Sequence, residues 1–185
     1  MKTRTLALIA VSIATIIYGV NYTIAKDVMP TYVKPYAFIL LRVSGATVIF
    51  WFLGLFVSAK KIEKQDLKKI AFASFFGIAV NMLSFFKGLS LTTPISASVM
   101  MVTSPIMVLL FSFLLLKGKI IKRQILGIGI GLVGAILLIV YGTTSVKNAT
   151  NIPLGNFLVF INATSYGLYL VLVKNLISKY NPLVF

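Results

Sequence analysis

This sequence of 185 residues contains no cysteine, no histidine and only three acidic residues. The missing cysteine excludes disulfides, thiol catalysis and thiolate metal sites. The missing histidine removes the commonest general base and proton carrier. The three acids, Asp27, Glu63 and Asp66, lie in or beside predicted loops rather than inside apolar segments. An active site needs several titratable groups in one place, so we expect no enzymatic activity, no metal site and no cofactor.

Apolar residues, by contrast, are abundant and come in blocks. They make up 59% of the sequence, mean hydropathy is +1.01, and only 11% of residues are charged. Each block approaches the roughly 20 residues that a helix needs to cross a bilayer, and none alternates as a barrel strand would. The sequence therefore predicts an all-α integral membrane fold with about six transmembrane helices. The predicted spans are Leu6–Ala25, Tyr36–Val57, Ile70–Leu89, Pro94–Leu116, Ile125–Tyr141 and Leu154–Val173.

The basic residues predict the topology. With the N-terminus inside, thirteen of the 18 lysines and arginines fall on the inner side, and Arg42 lies within a span. Four fall in or beside the outer loops, namely Lys26, Lys34, Lys87 and Lys147. This is the positive-inside pattern, so the net charge of +15 indicates a lipid bilayer and not a nucleic-acid partner. The first segment is too long for a signal-peptide core, and we interpret it as a retained span. We expect a multi-pass membrane protein with a cytoplasmic N-terminus.

The sixth span repeats the pattern of the first. Tyr18-Gly19 and Lys26 recur 148 residues later as Tyr166-Gly167 and Lys174, and a one-residue gap aligns Pro35 and Phe38 with Pro182 and Phe185. A repeat that contains an odd number of spans must be inverted in the bilayer, which is a transporter architecture. We predict a first five-helix repeat at 1–142, a linker at 143–152, and the start of a second repeat at 153–185. Because the second unit stops soon after its opening, we expect a truncated chain.

Several motifs in order resemble the EamA-type branch of the drug/metabolite transporter superfamily. They are Tyr18-Gly19-Val20-Asn21-Tyr22 with Lys26, Arg42 in span two, Gly88 to Ser98 between spans three and four, Thr103-Ser104-Pro105-Ile106, and Gln124 to Gly127 with Gly131. The resemblance implies ten spans in two inverted repeats, a central cavity lined mainly by spans one, three and four of each repeat, and transport without ATP hydrolysis. It also implies a carrier in the plasma membrane, often an exporter of amino acids, other metabolites or drugs. One departure is Gly118, which stands where the family usually has a glutamate.

Polar side chains inside a span are costly unless they are paired or face a wet cavity, so each is a candidate for substrate binding. In span one these are Tyr18, Asn21 and Tyr22, and in span two Arg42. The spacing of Tyr18 and Asn21 predicts that they share a helix face. Alternatives are helix–helix hydrogen bonding for Asn21, interfacial anchoring for both tyrosines, and snorkelling or pairing with a helix C-terminus for Arg42.

The remaining candidates lie in spans three, four and six. Asn81 is a candidate cavity-wall residue, or one partner of an interhelical bond, and Lys87 is a gate residue or a snorkelling lysine. In span four, Ser98 and Ser104 are candidate binding residues, and Pro105 predicts a kink suited to gating. Ser104 and Thr103 alternatively bond the carbonyl that the proline leaves unpaired. Tyr166 is the counterpart of Tyr18 in span six.

These features favour a secondary transporter of small molecules that works by alternating access, as a monomer or a homodimer. A non-transporting membrane assembly protein, or a small transporter that needs oligomerisation, is the alternative. The small-residue pair Gly127 and Gly131 in span five predicts a close helix contact within the scaffold or at a dimer interface.

Overall fold

The structure is a computed structural model that describes residues 3–57, 62–118, 121–141 and 149–181. Within those ranges the chain forms eight α-helices and one π-helical segment. The helices are α1 (Thr3–Val28), α2 (Pro35–Gly54), α3 (Lys64–Ser74), α4 (Asn81–Leu91), α5 (Pro94–Met100), α6 (Thr103–Leu116), α7 (Lys122–Tyr141) and α8 (Ile152–Lys179), and the π-helical segment is Phe75–Val80. Most of the predicted linker lies outside the described residues, as do Pro182 and Phe185.

Five helical stretches of the described chain are long and apolar enough to cross a membrane. They are Arg4–Val28, Pro35–Gly54, Lys64–Leu91, Pro94–Leu116 and Ile152–Lys179. They correspond to predicted spans one, two, three, four and six, and α7 occupies the place of span five. The all-α membrane fold is thus confirmed. Because successive spans cross in opposite directions, Lys64, Leu116 and Lys179 lie on the same side as the start of α1, called here the N-terminal face.

Span six is the central helix of the described chain. In its most apolar stretch 39% of the residues are buried, against 6% in span one and none in span two. It packs chiefly against α4 and α6, which belong to spans three and four. The opening of the predicted second repeat is therefore embedded in the first repeat, whereas spans one and two expose most of their apolar side chains.

Glycines allow this close packing. A Cβ atom at Gly155 would lie 2.7 Å from Thr92 Cβ and 2.8 Å from the Gly88 carbonyl oxygen, and one at Gly167 would lie 2.8 Å from Met107 Cβ. Real Cβ atoms do not approach so closely, so spans three, four and six meet backbone to backbone, as small residues permit in membrane helices. At Gly77 in the π-helical segment, the ring of Tyr169 fills the space that a side chain would need.

A left-handed residue ends span four. Lys117 has φ 52° and ψ 33°, and the Gly118 amide donates to the Ser112 carbonyl oxygen over 3.1 Å. This turn satisfies a carbonyl at the helix C-terminus. A Cβ at Gly118 would lie 3.0 Å from Ser112 Oγ, so a glutamate would be crowded there. The departure from the family pattern thus accompanies a tight helix end.

Candidate functional site

A cavity of about 580 Å³ lies between span one and span four, and it is called here the span-one cavity. It is of the size of ordinary small-molecule pockets, roughly 300–1,000 Å³. Three predicted binding residues, Tyr18, Tyr22 and Ser98, lie together in its wall. Its full lining is Thr15, Tyr18, Gly19, Tyr22, Thr23, Pro94, Ile95, Ser98, Met101 and Val102.

The lining combines aromatic rings with hydroxyl groups. Tyr18 and Tyr22 meet edge to face with their ring centroids 5.5 Å apart, and Tyr22 meets Phe85 in the same way at 5.2 Å. Ser98 donates its hydroxyl proton to the carbonyl oxygen of Ile95, which leaves the oxygen lone pairs as acceptors. Among the described residues that line the cavity none is charged. The described part of the wall therefore offers aromatic rings and hydroxyl oxygens to a bound molecule, and no charged group.

The helix break in span four forms part of the cavity wall. Helix α5 ends at Met100 and α6 begins at Thr103, with Met101 and Val102 in the turn between them. Pro105 has no N–H for the Met101 carbonyl, which accepts instead from the Ser104 amide over 3.0 Å. The Thr103 hydroxyl donates to the Met100 carbonyl oxygen over 2.7 Å. The helix is therefore interrupted just before Pro105, and backbone as well as side-chain groups bond the carbonyls there.

Asn21 is bonded to span two and is not among the lining residues of the cavity. Arg42 donates from Nη1 to Asn21 Oδ1 over 3.0 Å, and its guanidinium lies 5.6 Å from the centre of the Phe86 ring. The contact with Phe86 is a cation–π interaction. Arg42 therefore connects span two to spans one and three. A substrate role for Asn21 and Arg42 stays a prediction.

Two asparagines join spans three and six. Asn162 donates from Nδ2 to the Asn81 carbonyl oxygen over 2.9 Å, and Asn81 returns a longer bond of 3.4 Å to the Asn162 carbonyl oxygen. The Ser165 hydroxyl donates to the Phe76 carbonyl oxygen inside the π-helical segment. The amide oxygen Asn162 Oδ1 is buried and accepts no hydrogen bond from the described residues. These contacts match the interhelical alternative for Asn81.

Replacing Asn162 with leucine removes the shorter of these two bonds. We expect the free energy of unfolding to fall by about 1 kcal/mol, which is the scale of hydrogen bonds between membrane helices. Replacing Asn81 with leucine removes only the longer bond and is expected to have the smaller effect. Unfolding in mixed detergent micelles measures both variants, and a larger loss for Asn81→Leu would contradict this ranking.

The other candidate residues lie apart from the span-one cavity. Ser104 is buried, and its hydroxyl has no hydrogen-bond partner among the described residues. Tyr166 is 38% exposed and stacks on Tyr169 with ring centroids 6.2 Å apart. Lys87 is half-buried near the end of span three. Pro105 lines a separate crevice of about 380 Å³ between spans four and five.

The glycines of span five make looser contacts than predicted. A Cβ at Gly127 would meet nothing within 4 Å, and one at Gly131 would lie 3.6 Å from Val102. Both line the crevice beside Pro105. Within the described chain these two glycines therefore border the crevice and make no close helix contact. Their role at a dimer interface stays a prediction.

Comparison with known proteins decides the family. Residues 5–140, close to three quarters of the chain, match the EamA-like transporter family. The chain belongs to this family. The match covers spans one to five, so the EamA-like resemblance seen in the motifs is confirmed.

The sequence similarity between this chain and other proteins extends into span six. The chain is 26% identical over 173 residues to a protein named uncharacterized transporter YyaM from Bacillus subtilis (strain 168), covering 91% of this chain and 56% of that protein. It is 27% identical over 175 residues to an uncharacterized transporter from Archaeoglobus fulgidus, covering 95% of this chain and 60% of that protein. The chain thus spans less than two thirds of these relatives. No solved structure matches it.

Sequence reasoning missed the role of Lys26 in this EamA-like chain. We counted Lys26 among the outer loop charges, but its side chain is buried and donates to the carbonyl oxygens of Leu89, at 3.0 Å, and Ser90, at 2.9 Å. A cation at the C-terminal end of a helix satisfies unpaired carbonyls and complements the helix dipole. Its position at the end of span one was visible in the sequence, but the partner helix was not.

A second missed feature is a cluster of charges on the N-terminal face, called here the ion-pair cluster. Lys179 Nζ lies 2.6 Å from Asp66 Oδ2 and 2.7 Å from Glu63 Oε2. The Tyr180 hydroxyl donates to Asp66 Oδ2 over 2.9 Å, and Lys69 pairs with Asp66 Oδ1 at 3.0 Å. Asp66 is only 3% exposed. Two acids that were assigned to a loop therefore connect the start of span three to the end of span six.

Proposed function

We propose that this EamA-like chain is part of a secondary transporter that moves a small molecule by alternating access. The observation that carries the proposal is the break in span four inside the wall of the span-one cavity. A broken helix beside a cavity gives a hinge at the position of the solute, and transporters use discontinuous helices in this way. Bending at Met101 and Val102 would change the shape of the wall that Ser98 shares with Tyr18 and Tyr22.

The lining suggests the class of solute. Tyrosine rings and hydroxyl oxygens favour an amphipathic or aromatic molecule, and an uncharged wall disfavours a solute with a large net charge. Amino acids, related metabolites and drugs meet this description. We propose export across the plasma membrane, with the N-terminal face in the cytoplasm, since the sequence assigns thirteen basic residues to that side.

The proposal extends to two inverted repeats, the first at 1–142 and the second beginning at 153. Two observations support it: the repeated Tyr-Gly and lysine pattern, and the relatives' length, of which this chain covers 56–60%. In this arrangement span six, which opens the second repeat, docks on spans three and four of the first repeat. By the same symmetry, the exposed face of span one is the surface on which the second repeat docks.

Flux measurements test the proposed activity. The protein with both repeats, purified and reconstituted in liposomes, is assayed with a panel of labelled amino acids, aromatic metabolites and cationic dyes. We expect saturable flux for at least one amphipathic solute and none in protein-free liposomes. Flux that rises linearly with concentration for every solute would contradict a carrier mechanism.

Replacing Pro105 with alanine tests the hinge. The new N–H can bond the Met101 carbonyl, so we expect a straighter span four, an increase of about 1–3 kcal/mol in the free energy of unfolding, and slower transport. Thermal unfolding in detergent and flux in liposomes give the two values. Pro35→Ala is the matched control, because Pro35 begins α2, where proline costs no hydrogen bond, and it does not line the span-one cavity. Equal loss of flux in both variants would contradict a hinge at Pro105.

A membrane assembly without transport is the second candidate. The exposure of spans one and two favours it, since Ile16, Ile17 and Trp51 are each at least 65% exposed and present apolar surface for association. The oligomeric state in mild detergent distinguishes the candidates. A stable oligomer without flux for any solute favours assembly, and a monomer or homodimer with saturable flux favours transport.

A further inference from the structure

A groove on the N-terminal face lies between spans three, four and six. Its volume is about 540 Å³, and it is called here the inner groove. Two lysines and one asparagine supply its polar groups, and five apolar side chains supply the remainder. The lining is Lys68, Lys69, Phe72, Leu115, Leu116, Val171, Leu172 and Asn175.

The polar and apolar parts of the inner groove lie at different depths in the membrane. Lys68 and Lys69 lie in the second turn of α3, and Leu115 and Leu116 end α6, so this end of the groove is level with lipid headgroups. Phe72 is one turn deeper in span three, and Val171 and Leu172 are two turns from the end of α8. The groove therefore has a basic mouth and an apolar interior.

The charges at the mouth favour an anion. Lys68 is exposed, and the Lys69 side chain is 69% exposed while pairing with Asp66 Oδ1. Asp66 has a second cation, Lys179, at 2.6 Å. Transfer of the Lys69 ammonium to another anion would therefore leave Asp66 paired.

We propose that the inner groove binds an anionic phospholipid of the leaflet on the N-terminal face. Lys68 and Lys69 hold the headgroup phosphate, with the Asn175 amide as a further donor, and an acyl chain lies along Phe72, Leu115 and Leu172. Basic pockets between membrane helices bind anionic headgroups in this way. A soluble anion would find a lining that is mostly apolar, whereas a lipid matches both parts.

Lipid binding in the inner groove also affects the ion-pair cluster. The phosphate competes with Asp66 for Lys69, and Asp66 connects span three to Lys179 and Tyr180 of the span-six end. An anionic lipid therefore loosens one contact of the cluster while Lys179 keeps the others. This inference is independent of the solute and of the transport proposal.

Native mass spectrometry of the purified chain in detergent tests the site with phosphatidylglycerol, and phosphatidylcholine serves as the zwitterionic comparison. Lys68→Gln is expected to weaken phosphatidylglycerol binding about fivefold, the effect of one lysine near a phosphate. Lys174→Gln is the matched control, because Lys174 is exposed on α8, carries the same charge and is not part of the groove lining. Leu172→Trp fills the apolar interior of the groove, and we expect it to weaken phosphatidylglycerol binding as strongly as Lys68→Gln does.

The proposal is supported if phosphatidylglycerol binds more tightly than phosphatidylcholine and Lys68→Gln weakens it more than Lys174→Gln. Equal weakening by both lysine variants would show a diffuse charge effect and overturn it. Unchanged binding in folded Leu172→Trp would overturn the acyl-chain assignment. Displacement of phosphatidylglycerol by inorganic phosphate would identify a soluble-anion site and also overturn it. Lys68 is exposed, so the lysine comparison holds even if Leu172→Trp does not fold.

Discussion

Gly155→Ala is expected to destabilise the fold by about 3 kcal/mol, the upper end of the range for overpacking. The added Cβ would lie 2.7 Å from Thr92 Cβ, 2.8 Å from the Gly88 carbonyl oxygen and 2.8 Å from the Thr92 amide nitrogen. Two of these three atoms belong to the backbone, so no flexible side chain can move away. Spans three and six would have to separate. The free energy of unfolding in mixed micelles measures the loss.

Gly45→Ala is the matched control for this prediction. Gly45 lies within span two, and a Cβ there meets nothing within 4 Å. The same substitution should leave stability unchanged or raise it by about 1 kcal/mol, because alanine is the better helix former. Similar losses at Gly155 and Gly45 would show that spans three and six do not meet as closely as the structure describes.

Gly19→Phe is expected to abolish transport while leaving the chain folded. Gly19 lines the span-one cavity, and a Cβ at this position meets nothing within 4 Å, so the ring enters the space between Tyr18 and Ser98 without a backbone clash. A solute that binds there would be displaced. Flux in liposomes should fall to the level of protein-free vesicles, and the elution profile in detergent should remain that of the unmodified chain.

Gly45→Phe controls for the size of the new side chain. It places the same ring on an exposed face of span two, away from the cavity, and flux should persist. If Gly19→Phe transports as well as Gly45→Phe, the solute does not pass through the span-one cavity.

The fold class followed from local sequence properties. Apolar runs of about 20 residues marked the spans, and Pro105 marked the break in span four, because hydropathy and proline chemistry act locally. The sequence did not reveal the start of span three at Lys64, which we placed at Ile70. The residues before Ile70 are mostly polar, so hydropathy did not include them in the span. Lys179, which pairs with Asp66 among them, is more than 110 residues away in the sequence.

The candidate site was predicted in part. Tyr18, Tyr22 and Ser98 were each chosen as polar groups within a span, and they line one cavity. Asn21 is hydrogen-bonded to Arg42, and Asn81 to Asn162. The orientation of each amide side chain depends on the partner that a neighbouring helix provides. Helix periodicity identifies a face, but it does not identify the neighbour. The same limit explains why Lys26 was assigned to a loop and the close contacts of Gly88, Gly155 and Gly167 were missed.

The most direct test of the span-one cavity as the transport site uses single introduced cysteines, because the sequence contains none of its own. Ser98→Cys places one thiol in the span-one cavity, and Gly129→Cys places one on the exposed side of span five. Both are treated in membrane vesicles with a membrane-impermeant maleimide. We predict rapid labelling of Ser98→Cys, slowed by a transported solute, and little labelling of Gly129→Cys. Equal, slow labelling of both variants would mean that the cavity is not open to water, which would contradict its role as the transport site.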